Sequence, residues 1–260
     1  MDDIITSSDG TRLSTRTTGD GPPLLLVHGA TGSKDMWGFV TPSLEPHHTV
    51  HVYDRRGRGG SDDGGDGYSL EAEVDDLSTV IAACAQPPHL VAHSFGAVCA
   101  LEAAAGGADI ASLVVYEPPV HLRTLADQVA DTRARLDADD ASGALERFLP
   151  IAGSPPEEVA FLQTMPEVWQ GFVAVAAATL GRELGVLLPF DWEPSRYADV
   201  DVPVQILAGE LTDSSCYPTT DELLVAFPHA AVHVFEGQRH VAMSADPAMF
   251  AEVVLGFTTG

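Results

Sequence analysis

The chain has 260 residues, of which 45% are hydrophobic and 20% charged, so it is long enough to bury a full core as one domain with an insertion or as two small domains. Its 38 acidic residues outnumber the 13 basic ones and give a net charge of -25 at pH 7. A surface of that charge repels phosphate backbones and anionic membranes, which argues against nucleic acid and membrane partners.

Targeting signals and cysteine spacing add further expectations. The first residues lack the basic start, apolar run and cleavage site of a signal peptide, and no apolar stretch reaches membrane-spanning length. We therefore expect a cytoplasmic protein, with a small-molecule substrate and a monomeric or homodimeric state as separate expectations. Cys84, Cys99 and Cys216 are odd in number and lack metal-ligand spacing, which predicts reduced thiols, no metal and no cofactor.

The first part of the chain alternates between strand patterns and helix patterns. Two short runs at 4–7 and 12–17 predict an antiparallel hairpin at a sheet edge. Continuous apolar runs predict strands at 23–27, 49–53, 89–92 and 113–116, and helical periodicity predicts helices at 35–44, 70–85 and 95–105. This alternation predicts a mostly parallel sheet with helices on both faces.

The alternation stops between Pro118 and Pro203, where only helical periodicity remains. Strand patterns return at 204–208 and 231–235, and a final helix is predicted at 247–257. These patterns predict an α/β core made of residues 1–118 and 203–260, with a helical cap inserted at 119–202.

One serine stands where a predicted strand meets a predicted helix. Ser94 has Ala92 two residues before it and Gly96 two residues after it. A serine that attacks a carbonyl projects from a sharp strand-to-helix turn, and only small side chains at those two positions let strand and helix come that close. The pattern is the nucleophile elbow G-x-S-x-G with alanine as its first residue. A serine that merely caps a helix would give the same five residues.

Three further motifs accompany this serine: an HGA triplet at 28–30, a D-x-R-G-x-G-x-S loop at 54–61, and a late histidine, His240. Standing in this order over nearly the whole length, they make the chain resemble the α/β-hydrolase superfamily. The segments VYEPP at 115–119 and GQRHVA at 237–242 are similar to a bacterial branch of small serine hydrolases with a helical cap. The resemblance implies the α/β-hydrolase fold and a catalytic serine, histidine and acid.

The resemblance also implies roles for the other site residues. His240 follows the last predicted strand, where the family places its catalytic base, whereas His28 and His93 flank strand ends and are expected to pack or hydrogen-bond. Two carboxylates compete for the orienting acid. Glu117 directly follows the strand before the insertion, and Asp213 lies one residue beyond the position where most members carry the acid. We favour Glu117, with Asp213 as the alternative.

The mechanism implied by these parts is acyl transfer. Ser94 would attack an acyl carbon, the backbone N–H groups of Ala30 and Phe95 would stabilise the oxyanion, and water would release the acyl group. This predicts hydrolysis of a carboxylic ester, lactone or thioester. A cofactor-free lyase or cyclase, or a hydrolase of C–C bonds on the same fold, remains the alternative.

Large apolar residues indicate a largely apolar substrate. The candidate lining residues are Trp37, Phe95, Phe161, Met165, Trp169, Phe172 and Trp192, with Trp37, Trp169 and Phe172 favoured for substrate binding. The arginines of the 54–61 loop are expected to brace the sheet edge rather than to bind phosphate, which would need a helix N-terminus beside them.

Overall fold

A computed structural model of the chain describes residues 2–65 and 67–260. Its strands are β1 (Asp3–Thr6), β2 (Arg12–Thr18), β3 (Pro23–Val27), β4 (Thr49–Tyr53), β5 (His89–His93), β6 (Ser112–Tyr116), β7 (Val204–Gly209) and β8 (Ala231–Phe235). In the described residues they form one eight-stranded sheet in the order β1-β2-β4-β3-β5-β6-β7-β8. The pairs β1–β2 and β2–β4 are antiparallel, and all pairs from β4 to β8 are parallel. The predicted mostly parallel sheet with an edge hairpin is confirmed.

The central strands carry continuous apolar runs because both of their faces are covered. Every residue of β3 and β6 is buried, and so are four of the five residues of β5. In the parallel register, Ala92 of β5 pairs with Val115 of β6, and Tyr116 pairs with Leu207 of β7. The loops that follow these three strands therefore leave the sheet side by side at one edge.

Helices pack on both faces of this sheet. They are α1 (Thr41–Leu44), α2 (Leu70–Ala82), α3 (Phe95–Ala105), α4 (Ala126–Asp137), α5 (Ala141–Ile151), α6 (Pro156–Gln163), α7 (Pro166–Val175), α8 (Gly181–Leu187), α9 (Thr220–Ala226), α10 (Ala242–Ala245) and α11 (Pro247–Thr258). Short 3₁₀ helices occupy Lys34–Trp37, Leu122–Leu125 and Pro194–Tyr197, and one π-helical turn, Ala176–Leu180, joins α7 to α8.

The segment between β6 and β7 contains α4 to α8 and no strand among its described residues. We call it the helical insertion. Its buried Leu145, Leu180 and Leu184 belong to the same apolar cluster as Phe95 of α3 and Val27 of β3. The insertion therefore packs directly over the carboxyl end of the sheet, where the loops after β5 and β6 emerge.

Two helix predictions need correction. The expected helix at 35–44 is broken into the Lys34–Trp37 turn and α1, because Gly38 and Pro42 both disfavour a continuous helix. Helix α9 was not expected. Its N-cap, Thr219, forms a capping box with Glu222, but the helix has only seven residues, which is too few for periodicity to reveal.

The remaining expectations concern membranes and cysteines. Among residues 2–65 and 67–260, no helix combines the length and apolarity needed to cross a bilayer. The three cysteines are free, with Cys99 and Cys216 buried and Cys84 half-buried.

Candidate active site

Ser94 occupies the sharp turn between β5 and α3. Its backbone angles are φ 55° and ψ -124°, a conformation that costs a non-glycine residue about 1–3 kcal/mol. The turn is held on both sides, because Ser94 N donates to Tyr116 O at 2.9 Å and Ser94 O accepts from Ala97 N at 2.9 Å. Within the described chain, the Ser94 side chain makes no capping hydrogen bond to α3. This geometry fits a projecting nucleophile better than a helix cap.

Small residues let three backbone segments meet at this turn. A Cβ atom added to Gly96 would lie 2.5 Å from His28 O, and one added to Gly29 would lie 2.7 Å from Ser94 Cβ. Both distances are shorter than any ordinary carbon contact. The 28–30 loop therefore lies directly against the turn at Ser94.

His240 and Glu117 form a buried pair beside this turn. His240 Nδ1 donates to Glu117 Oε2 at 2.6 Å, and the two side chains are 8% and 5% exposed. The second carboxylate oxygen, Glu117 Oε1, accepts from Gly209 N at 2.7 Å. Since the proton of the His240 ring is committed to Nδ1, Nε2 is left with a free lone pair, as a general base requires.

The position of Glu117 follows from the sheet. It is the first residue after β6, and its φ of 46° turns the chain away from the strand direction. The neighbouring parallel strands end beside it, one leading to Ser94 and the other ending at Gly209. Of the four non-glycine residues with positive φ in the described ranges, Ser94, Glu117 and Thr31 lie in the loops gathered here, and such strain is concentrated at functional sites.

Asp213, the alternative acid, lies elsewhere. Its side chain is exposed, in the loop between β7 and α9, and it lines a separate surface cleft with Pro150 and Arg147. The Nδ1 edge of His240 is already occupied by Glu117. The structure thus brings Glu117 and His240 together and leaves Asp213 apart.

Aromatic neighbours fix the imidazole of His240 from several directions. The Tyr217 ring stacks on it with a centroid separation of 4.5 Å and an interplanar angle of 26°. His93 lies on another side at 4.3 Å, and its Nε2 donates to His240 O at 2.8 Å. Tyr116 holds the preceding residue by donating its hydroxyl to Arg239 O. Burial, and secondarily repulsion from the neighbouring His240 ring whenever that ring is protonated, lower the pKa of His93 well below its ordinary value, so His93 stays neutral.

His28 is likewise structural. Its Nε2 accepts from the backbone N–H of Arg55 at 3.1 Å, which places the ring proton on Nδ1, and Nδ1 donates to Gly29 O at 2.9 Å. Burial, and secondarily Arg55, lower the pKa of His28 well below its ordinary value. Both nitrogens of a neutral ring are used, so neither serves as a base, in line with the expectation for this residue.

A narrow cavity of about 20 Å³ opens beside Ser94, with room for a single water molecule. The residues around it are mostly apolar: Ala30, Phe95, Pro119, Leu122, Phe148, Ile151, Ala152, Leu180, Leu184, Leu187 and Cys216, together with Ser94, Glu183 and Tyr217. Most come from the helical insertion, so the insertion forms the wall opposite Ser94.

The aromatic residues favoured for substrate binding do not reach this cavity. Trp37 packs in the core under the opposite face of the sheet, 6.0 Å from the Phe250 ring. Trp169 is buried within the insertion and donates its indole N–H to Ser142 Oγ at 3.1 Å, and Phe172 packs beside the same cluster. The expectation for these three needs correction, because large apolar side chains belong to the core more often than to a site. Of the other aromatic candidates, Phe95 does line the cavity.

Ala30 and Phe95 are the two residues expected to supply the oxyanion amides. Both residues line the cavity next to Ser94. In the part of the chain that the structure describes, neither backbone N–H donates to a protein acceptor. Neither amide is therefore committed to another acceptor, as an oxyanion site requires.

The loop arginines pair with carboxylates. Arg55 contacts Glu73 at 2.9 Å and Glu183 at 2.5 Å, and Arg58 also pairs with Glu183. Arg56 pairs with Asp76 at 2.7 Å. Their burial and pairing agree with a bracing role for the loop.

Sequence reasoning missed two polar residues of the cavity wall, Tyr217 and Glu183. No local signal marks them, since Tyr217 lies in an irregular loop and Glu183 looks like an ordinary surface residue of a helix. A carboxylate that is buried in the insertion requires a basic partner, and the unusual density of arginines in the 54–61 loop was the available clue.

Comparisons with known proteins agree with this architecture. Residues 24–253 match the Alpha/beta hydrolase family. The crystal structure of an alpha/beta hydrolase from Sphaerobacter thermophilus superimposes with a TM-score of 0.86 at 32% identity, covering 98% of this chain and 99% of that one. An esterase from Rhodococcus has the same fold, with a TM-score of 0.75 at 23% identity over 100% of this chain and 98% of its own.

The similarity to one further relative, a deformylase, covers only part of the chain. N-formylmaleamate deformylase of Pseudomonas putida is 41% identical over 108 residues, which is 40% of this chain and 40% of the deformylase. The match thus spans about two fifths of that relative. The family match covers most of the chain, and a solved relative aligns with it over nearly the whole length of both. The chain therefore belongs to the alpha/beta hydrolase family.

Proposed function

We propose that the protein is a serine hydrolase that cleaves a carboxylic ester or lactone of a small, largely apolar substrate through an acyl-enzyme on Ser94. The observation that carries the proposal is the 2.6 Å hydrogen bond between His240 and Glu117 beside a strained, projecting serine. A third group that orients the base is what distinguishes a working triad from a chance pair.

The steps follow from the groups present. His240 Nε2 accepts the Ser94 proton as Oγ attacks the acyl carbon, and Glu117 stabilises the imidazolium that forms. The oxyanion receives hydrogen bonds from the amides of Ala30 and Phe95. His240 then returns the proton to the leaving oxygen, and a water molecule activated by His240 hydrolyses the acyl-enzyme. Apo structures often leave the serine–histidine hydrogen bond long until substrate binds, and no ordinary one joins Ser94 to His240 in the described residues.

The cavity favours a short, uncharged acyl group. Its wall is mostly apolar, and its one carboxylate, Glu183, is already paired with Arg55 and Arg58. Among the residues that line it there is no free cation to bind an anionic acyl group. Its volume of about 20 Å³ fits a formyl or acetyl group better than a longer or polycyclic acyl group.

A second candidate is cleavage of a short N-acyl amide. The partial similarity to a deformylase named for an N-formyl substrate favours it, as does the small size of the cavity. The same triad serves both reactions, since each passes through a tetrahedral oxyanion. The cofactor-free lyase and the C–C hydrolase share the site but do not need an acyl-enzyme.

The test is hydrolysis of p-nitrophenyl acetate, butyrate and decanoate, and of N-formyl-p-nitroaniline, by wild type and Ser94→Ala. Ser78→Ala, on α2 far from the cavity, is the matched control. We expect the short esters to be preferred, Ser94→Ala to lose at least about 10³-fold in kcat, and Ser78→Ala to match wild type. Faster cleavage of the formamide would favour the second candidate. Unchanged turnover in Ser94→Ala would reject both.

A further inference from the structure

The carbonyl of Gly29 receives two hydrogen bonds. His28 Nδ1 donates to it at 2.9 Å and Arg55 Nη2 at 3.1 Å. Arg55 also donates from Nε to His28 O at 3.1 Å. The guanidinium therefore clamps two successive carbonyls of the 28–30 loop.

This clamp fixes the direction of the next amide. The Gly29–Ala30 peptide is trans, so its N–H points opposite to its C=O. With the Gly29 carbonyl held toward Arg55, the Ala30 N–H is aimed away from the guanidinium, on the side where Ala30 lines the cavity beside Ser94. A hydrogen-bonded carbonyl also polarises its peptide group and makes the N–H a stronger donor.

The same guanidinium contacts the other oxyanion residue. Arg55 Cζ lies 4.6 Å from the centroid of the Phe95 ring, and Phe95 is the residue proposed to supply the second oxyanion amide. We propose that Arg55 is a positioning residue that orients the Ala30 amide toward the developing oxyanion, held in place by Glu183 of the helical insertion. The inference rests on the hydrolase function proposed above.

Two carboxylates pair with different nitrogens of the Arg55 guanidinium. Glu73 of α2 contacts Nη1 at 2.9 Å, and Glu183 of α8 contacts Nη2 at 2.5 Å. Both carboxylates are buried. Burial acts to raise the pKa of Glu183, but Arg58 and Arg55 lower it below its ordinary value, so it remains a carboxylate at neutral pH. Because Glu183 belongs to the insertion, the amide is fully oriented only when the insertion is packed on the core.

Arg56 provides a matched control. It is the next residue of the same loop and is equally buried. Its guanidinium pairs with Asp76 at 2.7 Å and Asp9 at 3.1 Å, and none of its described hydrogen bonds reaches the Gly29 peptide. Substitution of Arg56 therefore disturbs a buried ion pair of the loop without touching the proposed clamp.

The experiment compares Arg55→Lys, Glu183→Gln and Arg56→Lys with wild type. Kinetics on p-nitrophenyl acetate are combined with inhibition by a short alkyl boronic acid, which mimics the tetrahedral intermediate, and with melting temperatures. Lysine keeps the charge of Arg55 but cannot span two carbonyls and two carboxylates. We expect Arg55→Lys to lose about 10²-fold in kcat with KM nearly unchanged, and boronate affinity to fall in proportion to kcat/KM. Glu183→Gln should lose about tenfold in kcat.

A purely structural role predicts a different pattern. If Arg56→Lys lost as much kcat as Arg55→Lys, or if folded Arg55→Lys and Glu183→Gln kept the kcat and boronate affinity of wild type, the inference would be overturned. Should Arg55→Lys fail to fold, the isosteric Glu183→Gln decides by the same criteria. A wild-type protein that neither hydrolyses the ester nor binds the boronate would instead refute the proposed function itself.

Discussion

Replacement of Glu117 by glutamine should abolish most activity while leaving the fold intact, and the structure shows why. The backbone N–H of Gly209 is a fixed donor 2.7 Å from Glu117 Oε1, so the single oxygen of the new amide has to face it. The amide NH₂ group then faces His240 Nδ1, which lies 2.6 Å from the other carboxylate oxygen. Nδ1 is forced to accept, and the ring proton moves to Nε2.

A histidine protonated at Nε2 cannot take the proton of Ser94. The substitution that creates this wrong tautomer in serine proteases lowers kcat by about 10⁴-fold, which corresponds to about 5.5 kcal/mol of transition-state stabilisation. We expect Glu117→Gln to lose kcat on p-nitrophenyl acetate by about this factor, with little change in KM.

The matched control is Asp213→Asn, which removes an exposed carboxylate from the loop after β7. It should retain kcat within about twofold, since exposed substitutions away from a site have small effects. Retention of more than a tenth of the wild-type kcat by Glu117→Gln, or collapse of Asp213→Asn, would show that Glu117 is not the orienting acid.

Three further predictions concern packing, pH and acyl length. Gly96→Ala places a Cβ 2.5 Å from His28 O and should lower the free energy of unfolding by about 2 kcal/mol or more. The control is Gly171→Ala, in an exposed turn of α7, where an added Cβ would have no atom within 4 Å. It should instead raise the free energy of unfolding, measured by urea titration, by up to about 1 kcal/mol. Equal changes in the two variants would refute the close contact between Gly96 and His28 O. Burial lowers the pKa of His93, so below about pH 6.5 the unfolded chain binds a proton at this residue and the folded chain does not. The free energy of unfolding therefore falls as the pH falls. His93→Gln should make that fall shallower by about 1.4 kcal/mol per pH unit, and parallel stability curves for the two proteins would argue against it. Leu184→Ala widens the cavity wall and should raise the butyrate-to-acetate ratio of kcat/KM about tenfold, whereas an unchanged ratio would place the acyl group elsewhere.

The strands and the nucleophile turn could be predicted from the sequence because their signals are local. A buried parallel strand is a continuous apolar run, and Ala92 and Gly96 flank Ser94 at fixed spacing. The strands at Pro23–Val27 and Thr49–Tyr53 were predicted to the residue for this reason. Glu117 could be weighed against Asp213 because its place after a central strand determines which loops it meets.

The cavity wall could not be predicted, because it depends on how the insertion packs. Trp169 and Phe172 lie on a helix of the insertion, and periodicity does not tell which of its faces meets the core and which meets the site. The pairing of Glu183 with Arg55 joins residues 128 positions apart. Such a long-range ion pair leaves no local pattern in a single sequence.

The most direct test of the account is covalent labelling of Ser94. Native wild type is incubated with a short alkyl fluorophosphonate, and intact-mass and peptide mass spectrometry then locate the adduct, with Ser94→Ala and Ser78→Ala in parallel. One adduct per chain on Ser94, absent from Ser94→Ala and retained in Ser78→Ala, is the result that the account predicts. An unlabelled native protein, or an adduct that persists in Ser94→Ala, would contradict it.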